Sequence, residues 1–195
     1  MDKAMTATYY RDLLTKHGPT HQAVDAGSEY THRLRLQVLT SFIPDMHSSV
    51  LDVGCGLGHL IDYGTGINKP GYLGLDVLPE MIEAAQLRRP GWHFEIGDIG
   101  KPTDKWAADY VLASGLFQFS NWKFVWQTLS DMFWLCKKGV AVNFLRQGSD
   151  KEFIISPHEF YKLGLPVTND GKHFYTIRAD YLPNDFTLFL YKEKP

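Results

Sequence analysis

Short apolar runs alternate with helical stretches through the middle of the chain. The apolar runs are residues 49–53, 71–77, 93–99, 109–115 and 139–145. Between them, apolar residues recur at helical spacing, most clearly over residues 79–89 and 121–138. Strands that alternate with helices are typical of a parallel sheet with right-handed crossover connections. The pattern therefore predicts a five-stranded parallel α/β core.

Residues 1–48, which precede this alternation, are polar and helical in pattern. Within them, a helix is predicted to begin after Ser28, which can cap it, and to end at Pro44. The strongly apolar stripe over residues 121–138 is expected to end at Gly139, because glycine commonly terminates helices.

The chain beyond the fifth strand departs from the alternation. Ser156, Pro157 and Glu159 have the positions of an N-cap, a first helical residue and a capping box, so a short helix is predicted there. Two strands follow, over residues 173–182 and 185–193, joined by a Pro-Asn-Asp turn. Strands joined by short turns pair antiparallel. A hairpin is therefore expected to close the sheet.

Length, charge and cysteine content limit the classes of protein to which the chain can belong. With 195 residues, of which 44% are hydrophobic, the chain is long enough for one stable globular domain. The net charge is −2 and the longest basic runs are pairs, so the charge does not favour nucleic acid as a partner. No apolar run approaches the 18 residues or so of a membrane span. Cys55 and Cys136 lack metal-ligand spacing, and a cytoplasmic protein without disulfides is expected.

The first strand runs into a glycine cluster, VLDVGCGLGHL, with Gly54, Gly56 and Gly58 in GxGxG spacing. A dinucleotide fingerprint needs its third glycine where this chain has His59, and no Gly-Lys-Ser/Thr follows to make a P-loop. Asp76 ends the second strand, where a carboxylate can accept both hydroxyls of a ribose. These features predict a nucleoside ligand without phosphates.

These segments resemble the class I S-adenosylmethionine-dependent methyltransferases. VLDVGCGLG is similar to their first motif, GLDV to the second-strand acid, GDI to the end of the third strand, and DYVLASGLFQF to the fourth-strand motif. The resemblance implies a doubly wound, mostly parallel seven-stranded sheet in the order 3-2-1-4-5-7-6, with one antiparallel strand and flanking helices. It also implies an S-adenosylmethionine-binding domain over residues 49–195, with residues 1–48 as a helical lid.

The same resemblance implies the cofactor contacts. Asp76 would bind the ribose hydroxyls, and Asp98 would accept from the adenine amino group. Arg35 could pair with the cofactor carboxylate through a bidentate contact. Alternatives remain open: Asp98 could cap the turn into Gly100, and Met81 could face the core. The full expected set is Asp52, Gly54, Cys55, Gly56, Gly58, Asp76, Val77, Met81, Asp98, Ile99, Ala113, Ser114 and Arg35.

For the methyl acceptor, the candidates are Tyr9 and Tyr10 of the N-terminal segment, Phe117 after the fourth strand, and Asn143 in the fifth. Asn143 could instead only tie down a loop. No catalytic residue is assigned, because transfer from a sulfonium depends mainly on alignment and exclusion of water. The segment after the fourth strand has neither the paired prolines of adenine and glutamine methyltransferases nor metal-binding carboxylates, so no metal is expected.

The leading hypothesis is thus a methyltransferase that acts on an oxygen or nitrogen of a small molecule. An acceptor of RNA or protein is the main alternative. An NAD-dependent oxidoreductase on a related sheet and a non-catalytic cofactor-binding protein are the other hypotheses.

Overall fold

The computed structural model describes residues 3–146, 153–163 and 174–194. These residues form a seven-stranded sheet in the order β3-β2-β1-β4-β5-β7-β6. The strands are β1 Val50–Val53, β2 Tyr72–Asp76, β3 His93–Ile96, β4 Ala108–Ala113, β5 Cys136–Leu145, β6 Phe174–Arg178 and β7 Asp185–Tyr191. The helices are α1 Lys3–His17, α2 Glu29–Thr40, α3 Leu60–Tyr63, α4 Pro79–Arg88, α5 Trp122–Leu135 and α6 Pro157–Leu163. Short 3-10 helices span His21–Val24 and Asp104–Trp106.

The predicted sheet order is confirmed, as is the single reversed strand. Strands β1 to β5 pair in parallel, whereas β7 pairs antiparallel with both β5 and β6. The carboxyl ends of the parallel strands therefore lie along one edge of the sheet, which is where ligands bind in open α/β folds.

Each face of the sheet carries its own core because side chains alternate along a strand. Leu51 and Val53 of β1 pack into the cluster that includes α5, whereas Val50 packs into the cluster that includes α2 and α4. None of the helices within the described ranges is long and apolar enough to cross a membrane.

The predicted starts of α2 and α6 are confirmed, and the end of α2 differs from the prediction. The Ser28 hydroxyl accepts the Thr31 N–H at 3.1 Å, and the Ser156 N–H donates to Glu159 Oε2 at 2.6 Å. Helix α2 ends at Thr40 instead of Pro44. After Thr40 the backbone hydrogen bonds change to three-residue spacing, because the Ser41 N–H donates to the Val38 carbonyl at 3.1 Å and the Ile43 N–H donates to the Thr40 carbonyl at 3.0 Å. The helix therefore ends in a tight turn before the proline.

The prediction that Gly139 terminates a helix is wrong. Helix α5 ends at Leu135, and the backbone is already extended at Cys136, where β5 begins. Gly139 lies within β5, opposite β7. A Cβ at this position would lie 2.7 Å from the carbonyl oxygen of Leu190 and 3.0 Å from the ring of Phe42. The glycine therefore serves a close approach between neighbouring strands.

We predict that Gly139→Ala lowers the free energy of unfolding by about 1–3 kcal/mol, because backbone and ring must shift to admit the methyl group. Urea unfolding followed by circular dichroism measures the change. Gly27→Ala is the matched control, since a Cβ there meets no atom within 4 Å. An equal effect of the two substitutions would contradict the close-approach explanation.

Candidate cofactor and acceptor site

The glycine loop leaves β1 in a left-handed backbone conformation that glycine adopts readily and other residues avoid. Gly54, Gly56 and Gly58 have φ angles of 70°, 50° and 71°. The Gly54 N–H donates to the Leu75 carbonyl at 2.7 Å, and the Gly56 N–H donates to Asp76 Oδ2 at 2.9 Å. The loop is thus bound to the carboxyl end of β2, which brings the predicted glycines and the predicted acid together.

Asp76 accepts backbone N–H donors at both carboxylate oxygens. The second donor is Leu78, whose N–H lies 2.9 Å from Oδ1. Burial raises the pKa of Asp76, and the N–H donors from Leu78 and Gly56 oppose that rise. An ionised carboxylate oxygen can accept more than one hydrogen bond, so ribose hydroxyls can be added without removing these donors.

The N-terminal segment packs directly on the loop. A Cβ at Gly56 would lie 2.9 Å from Val24 Cγ1. Met81 of α4 is buried in an apolar cluster that also takes in Leu57 of the loop and Tyr10 of α1. The structure therefore places Met81 in the core, as the alternative interpretation allowed, whereas Val77 is 56% exposed.

Asp98 caps a turn. Its Oδ1 accepts the Gly100 N–H at 3.0 Å, which is the contact expected from the alternative interpretation. Ile99 beside it is buried in the core cluster.

At the end of β4, Ala113 is fully buried and Ser114 is half-buried.

Asp52 and Cys55 face the core. Asp52 is 5% exposed and accepts the Tyr72 hydroxyl at 2.8 Å. Burial raises the pKa of Asp52 to about 7, and the Tyr72 hydrogen bond opposes the rise. Burial also raises the pKa of the Cys55 thiol well above its ordinary value. Both side chains support the loop by packing, and Cys55 has the character of a small filler.

His59, which occupies the position of a dinucleotide glycine, is buried against a second histidine. The rings of His59 and His32 meet edge to face with centroids 4.9 Å apart. Burial lowers the pKa of His59 to about 4 and that of His32 to about 3, so both imidazoles are neutral at pH 7.

A cavity of about 360 Å³ lies at the carboxyl ends of β4 and β5. One part of its wall is aromatic, formed by Phe117, Phe144 and Phe153. Phe117 is nearly buried and stacks on Phe144 with ring centroids 5.1 Å apart, so it combines core packing with a place in the cavity wall. Across the described residues, no group of three or more histidine, cysteine, aspartate or glutamate side chains could hold a metal ion.

Arg35 lines this cavity as half of an ion pair. Its Nε and Nη2 donate to the two oxygens of Asp185 at 2.9 and 3.1 Å. Asn143 Nδ2 donates to the same carboxylate at 3.1 Å and to the Tyr181 hydroxyl at 2.9 Å. The bidentate contact expected between Arg35 and a cofactor carboxylate is made to Asp185 instead. Asn143 ties β5 to β7 while it also lines the cavity.

Sequence reasoning missed Asp25, which lines the same cavity. Its Oδ2 accepts the Tyr9 hydroxyl at 2.9 Å and Gln118 Nε2 at 2.6 Å. Tyr9 was expected to contact the acceptor, and the structure gives it this tethering contact. Tyr10 lies beside it, packed on α4 and the loop. No motif marks Asp25, because its partners are distant in sequence.

The matches to known proteins agree with this geometry. Residues 50–139 match the family described as a methyltransferase domain. Over 71 residues the chain is 44% identical to Rv1506c of Mycobacterium tuberculosis (strain ATCC 25618 / H37Rv), which carries the name of a methyltransferase. That match covers 35% of this chain and 42% of the relative, so the chain spans less than half of the relative's length.

Solved structures share the whole fold. Magnesium protoporphyrin IX methyltransferase from Synechocystis PCC 6803 with bound S-adenosylhomocysteine has a TM-score of 0.73 at 12% identity, over 98% of this chain and all of that one. The plantazolicin methyltransferase BpumL has a TM-score of 0.69 at 17% identity, over 97% of this chain and 95% of that one. Together with the glycine loop and the sheet order, these matches show that the chain has the fold of class I S-adenosylmethionine-dependent methyltransferases and that residues 50–139 are similar to a methyltransferase domain.

We predict that Asp52→Asn removes a pH-dependent loss of stability. Because the folded-state pKa of Asp52 is about 7, above its ordinary value of 3.8, the folded protein binds this proton more tightly than the unfolded chain. Wild-type stability therefore falls as pH rises between these two values, by up to about 1.4 kcal/mol per pH unit, and levels off above pH 7.

The measurement is urea unfolding at pH 5, 6, 7 and 8. The free energy of unfolding of Asp52→Asn relative to wild type should increase up to pH 7 and then level off. Asp104→Asn, at an exposed site, is the control and should follow wild type. A difference between Asp52→Asn and wild type that does not vary with pH would count against the shifted pKa.

Proposed function

We propose that the chain is an S-adenosylmethionine-dependent methyltransferase that transfers a methyl group to an oxygen or nitrogen of a small molecule. The observation that carries the proposal is the hydrogen bond of the Gly56 N–H to Asp76, which joins the glycine loop to the acid in a place suited to a nucleoside, beside a separate cavity. We call the loop and Asp76 the cradle. The cradle lies at the ends of β1 and β2, and the cavity at the ends of β4 and β5. Because β1 and β4 are adjacent strands, the methyl donor in the cradle and the methyl acceptor in the cavity would lie next to each other.

The residues present fit the cofactor. Asp76 retains acceptor capacity for the ribose hydroxyls, and the exposed side chain of Val77 is free to pack on the adenine. Ile99 would offer its backbone N–H to the adenine, and Asp98 its carboxylate. Ala113 and Ser114 would lie near the methionine ammonium. Bound S-adenosylmethionine supplies a methyl group on an activated leaving group.

The work left for the chain is to hold the two reactants in line and to exclude water. We propose that residues 1–48 act as the lid for this purpose, over a methyltransferase domain of residues 49–195. The contact of Val24 with the glycine loop and the bond from Tyr9 to Asp25 support that division. No proton-transfer residue is needed for an acceptor that is already nucleophilic.

A small-molecule acceptor is favoured by the size and the surroundings of the cavity. Its volume of about 360 Å³ lies at the lower end of the range for drug-sized ligands, roughly 300–1,000 Å³. The near-neutral net charge of −2 favours neither RNA nor DNA as the acceptor. A cytoplasmic location is part of the proposal, and the two free cysteines agree with a reducing compartment.

We predict that Asp76→Ala weakens the binding of S-adenosylhomocysteine at least tenfold, because the ribose hydroxyls and the loop both lose an acceptor. Isothermal titration calorimetry measures the dissociation constant. The 2′-deoxyribose analogue of S-adenosylhomocysteine separates the two effects: wild type should prefer the ribose form, and Asp76→Ala should bind both forms equally.

Asp62→Ala is the control, since the partners of Asp62 among the described residues are arginines of α4 and its cap. Undiminished binding by Asp76→Ala would remove the site assignment. A thermal shift produced by NAD and not by S-adenosylmethionine would instead support the oxidoreductase hypothesis. Ligand binding without methyl transfer to any component of a cell extract would support the non-catalytic one.

A further inference from the structure

Asp25 is held in a backbone conformation that most residues avoid. Its φ angle is 57°, the only positive value among the non-glycine residues that the structure describes. Aspartate tolerates this region better than most side chains, yet the conformation still costs free energy. The tertiary contacts of Tyr9 and Gln118 stabilise it, and both of these donors bind the same oxygen, Oδ2.

The second oxygen of Asp25 has a different environment from the first. Within the described residues, Oδ1 accepts no hydrogen bond, and the side chain lines the cavity. No lysine, arginine or histidine nitrogen of the described chain lies within 4 Å of this carboxylate. The donors that hold it, a phenol and an amide, are both neutral.

The remaining charges of the cavity cancel. Arg35 and Asp185 neutralise one another in a bidentate pair, and the Asp185 side chain is 4% exposed. Among the described residues that line the cavity, Asp25 is therefore left as the one uncompensated charge. Phe117, Phe144 and Phe153 supply apolar surface in the same cavity. A carboxylate with no cationic partner beside an aromatic wall is complementary to a protonated amine on an apolar or aromatic body.

We propose that Asp25 binds a protonated amine of the methyl acceptor, so that the substrate class is a small, basic, apolar or aromatic amine. This inference rests on the proposed function and makes it more specific. The ammonium has no lone pair while it is bound to Asp25. It therefore anchors the acceptor, and the methyl group goes to another atom of the molecule or to the same nitrogen after that nitrogen has lost a proton to solvent.

The cofactor also carries an ammonium, on its methionine part, and the experiment must separate the two sources. The protein is first saturated with S-adenosylhomocysteine. Calorimetry then compares three arylalkylamines with the alcohols of the same length: benzylamine, 2-phenylethylamine and 3-phenylpropylamine against benzyl alcohol, 2-phenylethanol and 3-phenylpropanol. Each pair differs in charge at nearly constant size, and the three lengths sample the distance between the aromatic wall and Asp25.

Wild type is expected to bind at least one amine about tenfold more tightly than its alcohol, as for a charge-assisted hydrogen bond. Asp25→Asn should reduce that preference below about threefold while it still binds S-adenosylhomocysteine like wild type. Asn preserves the acceptor oxygen and tolerates the positive φ. Asp12→Asn is the matched control, because Asp12 is exposed on α1, in the same segment.

Three results would overturn the inference. Wild type could show no preference for the amine in any pair, a comparison that requires no variant to fold. The preference could survive in Asp25→Asn and in Asp25→Ser. Either variant could weaken S-adenosylhomocysteine and leave amine binding intact, which would assign the carboxylate to the cofactor. Failure of wild type to bind S-adenosylhomocysteine at all would refute the proposed function itself and is measured separately.

Discussion

The hydrogen bond of the Gly56 N–H to Asp76 is the constraint from which the rest of the site follows. It holds a loop of left-handed glycines against the end of β2. The loop in turn sets how closely Val24 can approach, since a Cβ at Gly56 would lie 2.9 Å from that side chain. Asp25 follows Val24 directly, so the position of the cavity carboxylate depends on how the glycine loop is held at the other site.

The order of elements could be predicted because its causes are local. Alternating apolar runs and caps such as Ser28 depend on neighbours within a few residues, and the structure has them where the pattern indicates. Gly139 shows where this reasoning ends. A glycine after an apolar helical stripe can end the helix, or it can allow two backbones to approach closely. The local sequence is the same in both cases. Only the pairing of β5 with β7 distinguishes them.

The candidate site divides in the same way. The glycine loop and Asp76 could be placed together because each ends a neighbouring parallel strand. The directions of the Asp98 and Met81 side chains could not be predicted. An acid that caps a turn has the same sequence position as one that faces a ligand, and an apolar residue in the core looks the same in sequence as one that faces a ligand. Arg35 was expected at the site, but its partner Asp185 is 150 residues away, and Asp25 is 93 residues from Gln118. Contacts of such separation leave no local pattern.

Asp185 and Asp25 line the same cavity but affect its charge differently, because their partners differ. Asp185 is nearly buried, and a buried charge is tolerated when a bidentate arginine and further donors compensate it. Such a pair fixes geometry, here the junction of α2 with β7, without giving the cavity a net charge. Asp25 has only neutral donors on one oxygen, so its charge remains available to a ligand. The partners of each carboxylate therefore decide its role: Asp185 belongs to the rigid framework, and Asp25 recognises the ligand. The presence of two acids in the cavity does not by itself assign these roles.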